Sequence, residues 1–189
     1  KEYRRQRQMC IRDSINTCCF IHDAKEESVN TILEMAEYKK TGTCKILIVT
    51  GCMAQRYKEE ITKEIPEVDA VLGTTSYGDI VKALNEAEAG HVFQEFKDIN
   101  ALPEDSGRRV ITTGGHFGYL KIAEGCDKHC TYCIIPSLRG KFRSVPEERL
   151  LKQAEYMASQ GVRELILVAQ ETTCLLYTSD AADDTPCVD

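Results

Sequence analysis

The chain has 189 residues, with 30 Asp and Glu against 24 Lys and Arg, for a formal net charge of −6. No basic face studded with aromatics is present, so the composition carries no signal for nucleic-acid binding. There is no signal peptide and no apolar run long enough to cross a membrane, which predicts a cytoplasmic protein in which thiols stay reduced.

Ten cysteines then become the main chemical feature, but the chain ends change that count. Residues 4–14 read RRQRQMCIRDS and residues 174–184 read CLLYTSDAADD. Back-translation of the first gives a DNA segment whose reverse complement, in a shifted frame, encodes Cys-Leu-Leu-Tyr-Thr-Ser-Asp-Ala-Ala-Asp followed by Asp or Glu. One DNA segment in two orientations accounts for both ends, a pattern resembling a transposase-type sequencing adapter that has been translated. Residues 1–14 and 174–189 are therefore expected to be foreign and are excluded from fold reasoning. The remainder, 15–173, is expected to be cut from a longer parent. The Arg-rich start then ceases to look like a basic arm. Cys10, Cys174 and Cys187 drop out, and Cys18, Cys19, Cys44, Cys52, Cys126, Cys130 and Cys133 remain.

The first piece, 15–90, alternates strands and helices. INTCCFI reads as the end of a buried strand running into a loop. Asp23 is a candidate cap for a helix over Ala24–Lys39, with Val29, Ile32, Leu33 and Ala36 on one face. Gly42 breaks the chain, and Lys45–Thr50 (KILIVT) is a short β-branched strand. A helix over Ala54–Ile65 is stopped by Pro66, a strand follows at Asp69–Leu72, and a helix at Ser76–Ala89. This order predicts a parallel sheet with helices on both faces.

In a parallel sheet, loops after the strands share one edge, where open α/β sheets bind ligands. Cys18 and Cys52 each follow a predicted strand and are expected to be neighbours in space. Cys44 precedes its strand and belongs at the opposite edge. Cys19 is expected to face away from Cys18. Buried, inert thiols are the alternative for all four.

Residues 91–115 lack periodicity and read as a linker with some local structure. A second piece, 116–173, starts with a strand at Phe117–Ala123. A cysteine loop follows, then a helix from Pro146 to Gln160 ended by Gly161, and a strand at Glu164–Ala169. Strand, loop, helix, strand is the opening of a (β/α) barrel, whose reactive loops lie at the C-terminal strand ends. The cysteine loop and Gln170 fall on that face.

The loop reads GCDKHCTYC, placing Cys126, Cys130 and Cys133 as Cys-x-x-x-Cys-x-x-Cys. Three thiolates so spaced can hold three irons of a [4Fe–4S] cluster and leave the fourth without a protein ligand, open to a substrate or cofactor. Structural zinc is the alternative, with His129 as a fourth ligand, although no second Cys-x-x-Cys follows.

The cysteine spacing, with Tyr132 before its last Cys, resembles the signature of radical S-adenosylmethionine (SAM) enzymes. Together with Asn16-Thr17-Cys18, Gly51-Cys52 and EGCDKHCTYCIIPSLRGKFRS (residues 124–144), it resembles the methylthiotransferases of that group across essentially all of 15–173. The resemblance implies an N-terminal α/β domain, a radical-SAM barrel and a C-terminal TRAM domain in the parent protein. It implies a [4Fe–4S] cluster on Cys126, Cys130 and Cys133, where SAM chelates the open iron and is cleaved to a 5′-deoxyadenosyl radical. It also implies a second, auxiliary [4Fe–4S] cluster that supplies sulfur. Cys18 and Cys52 match two of its ligands, and the third would lie in a Gly-Cys loop that this chain lacks.

IIPSLRGKFRS and AQETT resemble the ribosomal-protein branch (RimO type), which methylthiolates the β-carbon of an aspartate in small-subunit ribosomal protein twelve. Pro136-Ser137 departs from the Pro-Tyr frequent in the family. The tRNA branch (MiaB-like), acting on an isopentenyl-adenosine, is the alternative, and a non-catalytic metal-binding remnant is a third reading. Tyr132 and Gln170 are candidates for contacting SAM, with a plain surface amide the alternative for Gln170. Arg139 is a candidate partner for a substrate carboxylate, or else a solvated loop arginine. A flavodoxin or ferredoxin is the implied electron donor. The fragment alone is expected to be inactive. His22, His91 and His116, the pairs Glu26-Glu27 and Glu59-Glu60, and Gly114-Gly115 read as solvated, packed or hinge residues.

Overall fold

The computed structural model describes residues 11–102, 109–113 and 116–172. They fall into two compact units divided between Pro103 and Glu104.

The first unit is a four-stranded sheet in the order β1 (Arg12–Thr17), β2 (Ile46–Gly51), β3 (Ala70–Leu72), β4 (Phe93–Glu95). Every pairing is parallel, so each crossover carries helix. These are α1 (His22–Thr41), the pair α2 (Cys52–Tyr57) and α3 (Glu59–Glu64), and a 3₁₀ turn (Tyr77–Asp79) leading into α4 (Ile80–Glu88). All six residues of β2 are buried, as expected of a central strand covered on both faces. Ile46, Ile48, Ala70 and Leu72 form a core with Ala83 of α4, joined by Leu84, Ala87 and Phe93. Alternation puts Leu47, Val49 and Val71 on the other face, and α1 packs against β1 and β2. Asp69 ties these layers together. Its carboxylate takes the Leu47 N–H at 2.8 Å and pairs with Lys39 of α1 at 2.5 Å.

Four expectations for this unit change. Asp23 does not cap α1; the N-cap is Ile21 without a side-chain hydrogen bond, and Asp23 lies in the first turn. The buried stripe of α1 is Ser28, Ile32, Met35 and Ala36, with Leu33 49% exposed. It is rotated toward Ser28, whose hydroxyl bonds the backbone of Cys18. The helix expected over 54–65 is broken at Lys58, a non-glycine residue at φ 40°, with Ala54 before the break and Ile61 after it both buried. Finally, the stretch read as a linker from residue 91 supplies β4, the edge strand.

In the second unit β5 (Phe117–Lys121) and β8 (Glu164–Val168) pair in parallel, joined through α6 (Glu147–Ser159). Leu120, Ile122, Met157 and Val162 form its core. Gly118 leaves room for the end of the Met157 side chain, which a β-carbon there would displace. α6 begins after Pro146 and Gly161 at φ 91° follows it, as expected. The single strand expected over 117–123 is instead split at Ile122. Its N–H bonds Val168 O at 3.0 Å, and Ala123–Glu124 turn away as β6 to pair antiparallel with β7 (Arg143–Ser144). Between β6 and β7 lie the cysteine loop and α5 (Ile135–Arg139).

Leu72 is fully buried and contributes to the central face of the first sheet. Leu72→Ala is expected to destabilise this unit by about 2–5 kcal/mol, read as a lower urea midpoint with an unchanged m-value.

Candidate metal centre

In the second unit, β6 and β7 form the stem of a hairpin whose head is the cysteine loop. Cys126 donates its N–H to Gly140 O at 3.2 Å, and Phe142 donates to Asp127 Oδ1 at 3.0 Å. Gly125 sits between these strands at φ 77°, where a β-carbon would collide with the carbonyl oxygens of Gly140 and Lys141. Only glycine allows that close approach. Its N–H donates to Gln170 Oε1 at 3.0 Å. Gln170 follows β8, so the loop and the end of the second strand meet at one edge, as the barrel reading expects.

Under the loop lies Glu124, 3% exposed. Its Oε1 pairs with Arg139 at 3.2 Å and with Lys121. The Arg139 side chain is turned inward, 13% exposed, onto Glu124, so it is not a solvated loop arginine. A buried carboxylate needs a cation beside it, and the sequence offered Glu124 only as the residue before Gly-Cys.

The three cysteines differ in exposure. Cys126 is buried, Cys133 intermediate and Cys130 exposed. The Cys133 N–H bonds Cys130 O at 3.0 Å, so those two share a turn. Tyr132 is 92% exposed at the tip, and His129 is exposed beside Cys130. Among the described residues, no three His, Cys, Asp or Glu side chains are gathered closely enough to hold a metal ion as they stand. The donor set still suits iron–sulfur ligation. It offers three thiols on one short loop whose stem is fixed and whose tip is open, with no paired second set of the kind a closed zinc site uses.

In the first unit, Thr17 pairs with Gly51, so Cys18 and Cys52 each follow one of two paired residues. A β-carbon on Gly51, at φ 96°, would collide with Thr17 O and Asn16 Oδ1. The strands are thus pressed together where the cysteines emerge. Ser28 Oγ accepts the Cys18 N–H at 3.0 Å, and Thr17 Oγ1 donates to Thr50 O at 2.5 Å. Cys44 is buried at the other end of β2, with its Sγ 3.5 Å from Ile46 O, as expected.

Cys19 departs from expectation. It is 3% exposed, and its thiol pKa is pushed up, first by burial and then by Cys52 and Cys18, against an opposing pull from Arg56. Cys19 is therefore buried within electrostatic reach of Cys52 and Cys18. Arg56, one turn into α2, was not legible as a member of this group; its i+4 spacing from Cys52 was the only available signal. None of the seven described cysteines is in a disulfide.

Comparison with known proteins accords with this layout. The model of the uncharacterized protein family UPF0004 matches residues 9–73, and that of the radical SAM superfamily matches residues 120–183. Each match overlaps a terminal stretch read above as foreign. The chain is 65% identical over 159 residues to a protein of Lachnoclostridium phytofermentans named ribosomal protein uS12 methylthiotransferase RimO. It is 52% identical over 159 residues to the protein of that name in Clostridioides difficile, and 47% over 162 residues to one in Clostridium botulinum. Each alignment covers 84% of this chain and 36% of the relative. A UPF0004 segment is thus followed by a radical SAM segment, and over 84% of its length the chain is similar to these RimO proteins.

The exposures set an order of thiol reactivity. Cys130 is expected to alkylate first. Cys19 and Cys44, both buried and both with raised pKa values through that burial, should lag by more than about tenfold at pH 8, because the thiolate is the nucleophile. A raised pKa means less thiolate at a given pH, so their rates should still climb above pH 9. Peptide mapping after timed iodoacetamide treatment reads both effects.

Proposed function

We propose that the chain carries the cluster-binding portions of a radical-SAM methylthiotransferase that modifies an aspartate of ribosomal protein uS12. The chain spans 36% of the length of the relatives it matches, so this activity is that of the whole protein. The observation that supports it most is the Cys126-Cys130-Cys133 loop at the edge where β5 and β8 end, fastened to Gln170. Residues 116–173 would form the radical-SAM portion. Residues 15–90, extended through β4, would form the auxiliary portion.

Cys126, Cys130 and Cys133 would hold one [4Fe–4S] cluster, and Cys18 and Cys52 would contribute to a second. Bound there, such clusters with SAM supply the electron, the hydrogen-abstracting radical, the sulfur and the methyl group. The protein's own contribution is placement and exclusion. Glu124 and Arg139 hold the two ends of the cysteine loop, Gln170 fixes its base, and Tyr132 is free to cover a bound cofactor. Gln170 uses its oxygen on Gly125, and its amide N–H groups would be the part that reaches SAM. An electron donor of the flavodoxin or ferredoxin kind would dock at this edge, and the setting would be cytoplasmic. Among the described residues, no helix is long and apolar enough to cross a membrane.

In the complete enzyme, Cys130→Ala is expected to abolish reductive SAM cleavage and to remove about four irons per chain. Retained cleavage would overturn the assignment, and one zinc in place of iron would favour a structural site.

A further inference from the structure

The cysteine loop is fastened at its stem by Glu124–Arg139, by Cys126 on Gly140 and by Asp127 on Phe142. Beyond Asp127 the chain enters solvent, and residues 128–132 are exposed. This tip nevertheless carries Cys130 and leads to Cys133. Stem contacts alone do not fix where those two thiols point.

A second attachment reaches the tip from β8. Lys128 Nζ lies 3.0 Å from Glu171 Oε2, with the Glu171 side chain 11% exposed and that of Lys128 48%. Glu171 directly follows Gln170, whose oxygen takes the Gly125 N–H. Two consecutive residues at the end of one strand thus grip the loop on either side of Cys126, one at the base and one at the tip. A carboxylate withdrawn from water loses less of its attraction to screening than an exposed one. Glu171 lies three residues past the last paired residue of β8, on the segment that Gln170 ties to Gly125.

We propose that Glu171 is a positioning residue, which through Lys128 limits the travel of the tip, so that Cys130 and Cys133 stay within reach of Cys126 on the stem. The inference rests on the loop being the cluster site proposed above. Among the described residues the three thiols are not gathered as they stand, so a loop open at its tip needs a limit on its travel from outside the loop. The Lys128–Glu171 pair supplies it without contributing a ligand.

The test uses the complete enzyme, comparing E171Q and K128M with the reversed pair K128E/E171K. Two quantities are read: the alkylation rate of Cys133 by iodoacetamide in the metal-free protein, and the rate of iron loss to EDTA after anaerobic reconstitution. Each single change is expected to raise both by about threefold, the scale of a partly exposed ion pair. The reversed pair should return both toward the unmodified values. Cys44, buried in the first unit, is the control, because global unfolding would raise its rate as well. Lys128 is half in solvent, so K128M keeps the test open should E171Q fold poorly. Single variants indistinguishable from the unmodified enzyme, or a reversed pair no better than the singles, would overturn the proposal. If the unmodified enzyme takes up no iron at these cysteines, the cluster reading fails, while the Cys133 rates still decide whether Glu171 holds the tip.

Discussion

Parallel strand pairing is the constraint from which the rest of this chain follows. A chain that pairs its strands in parallel must travel back after each one, and here helices make the return. Every loop that leaves a strand end therefore emerges at the same edge of its sheet. The register fixes which residues meet there. Thr17 opposite Gly51 brings Cys18 beside Cys52, and the parallel pair β5–β8 brings the cysteine loop to Gln170 and Glu171. The placing of Cys18 beside Cys52, and the attachment of the local cysteine loop to Gln170 and Glu171, are products of topology, joining segments distant in sequence. The glycines at those points, Gly51 and Gly125, are the local condition for it. Each lies at positive φ with backbone where a side chain would be.

The cysteine loop also depends on a charge placed where charges are costly. Glu124 is buried, and its Oε2 has no hydrogen-bond partner among the described residues. A buried carboxylate is tolerable here because Arg139 and Lys121 both meet its other oxygen. Such a pair adds little net stability compared with an apolar filling, but removing one partner strands the other. What it secures is geometry, because Glu124 enters the loop and Arg139 leaves it. Arg143 reinforces the closure by donating to Arg139 O at 3.1 Å. The sequence placed Arg139 in a Leu-Arg-Gly turn; the fold adds that its guanidinium is paired with Glu124 beneath the loop.

The chemistry was more legible in the sequence than the support around it. Cysteine spacing is local, and strand-end placement follows from a short β-branched run ending at Gly51, so Cys18, Cys52 and the 126–133 loop could be located from residues alone. Helix α6 was equally plain between Pro146 and Gly161. What stayed hidden depends on partners far along the chain. Ser28 looks like an unremarkable helix residue until its hydroxyl meets Cys18. Phe93–Glu95 has no strand signature until it pairs with β3. Cys19 could be sent either way by local geometry, and its burial is a tertiary outcome. The break at Lys58 belongs to the same class, because nothing in KEEITKE announces a positive φ.

The uneven fastening of the cysteine loop has a chemical logic. A metal site must exist before its metal arrives, yet a finished cage of thiolates is electrostatically unfavourable, and thiols give up their protons only as the metal binds. A loop rigid throughout would hold that repulsion permanently, and one loose throughout would lose conformational entropy on every binding event. The arrangement here divides the task. Cys126 is buried at the fixed stem, Cys133 is half-covered, and Cys130 stands in solvent. An incoming iron–sulfur unit can meet the outer thiol first and close onto the inner one. The Lys128–Glu171 pair then limits how far the outer part strays between encounters, because an ion pair of that exposure is strong enough to bias the tip and weak enough to let it open.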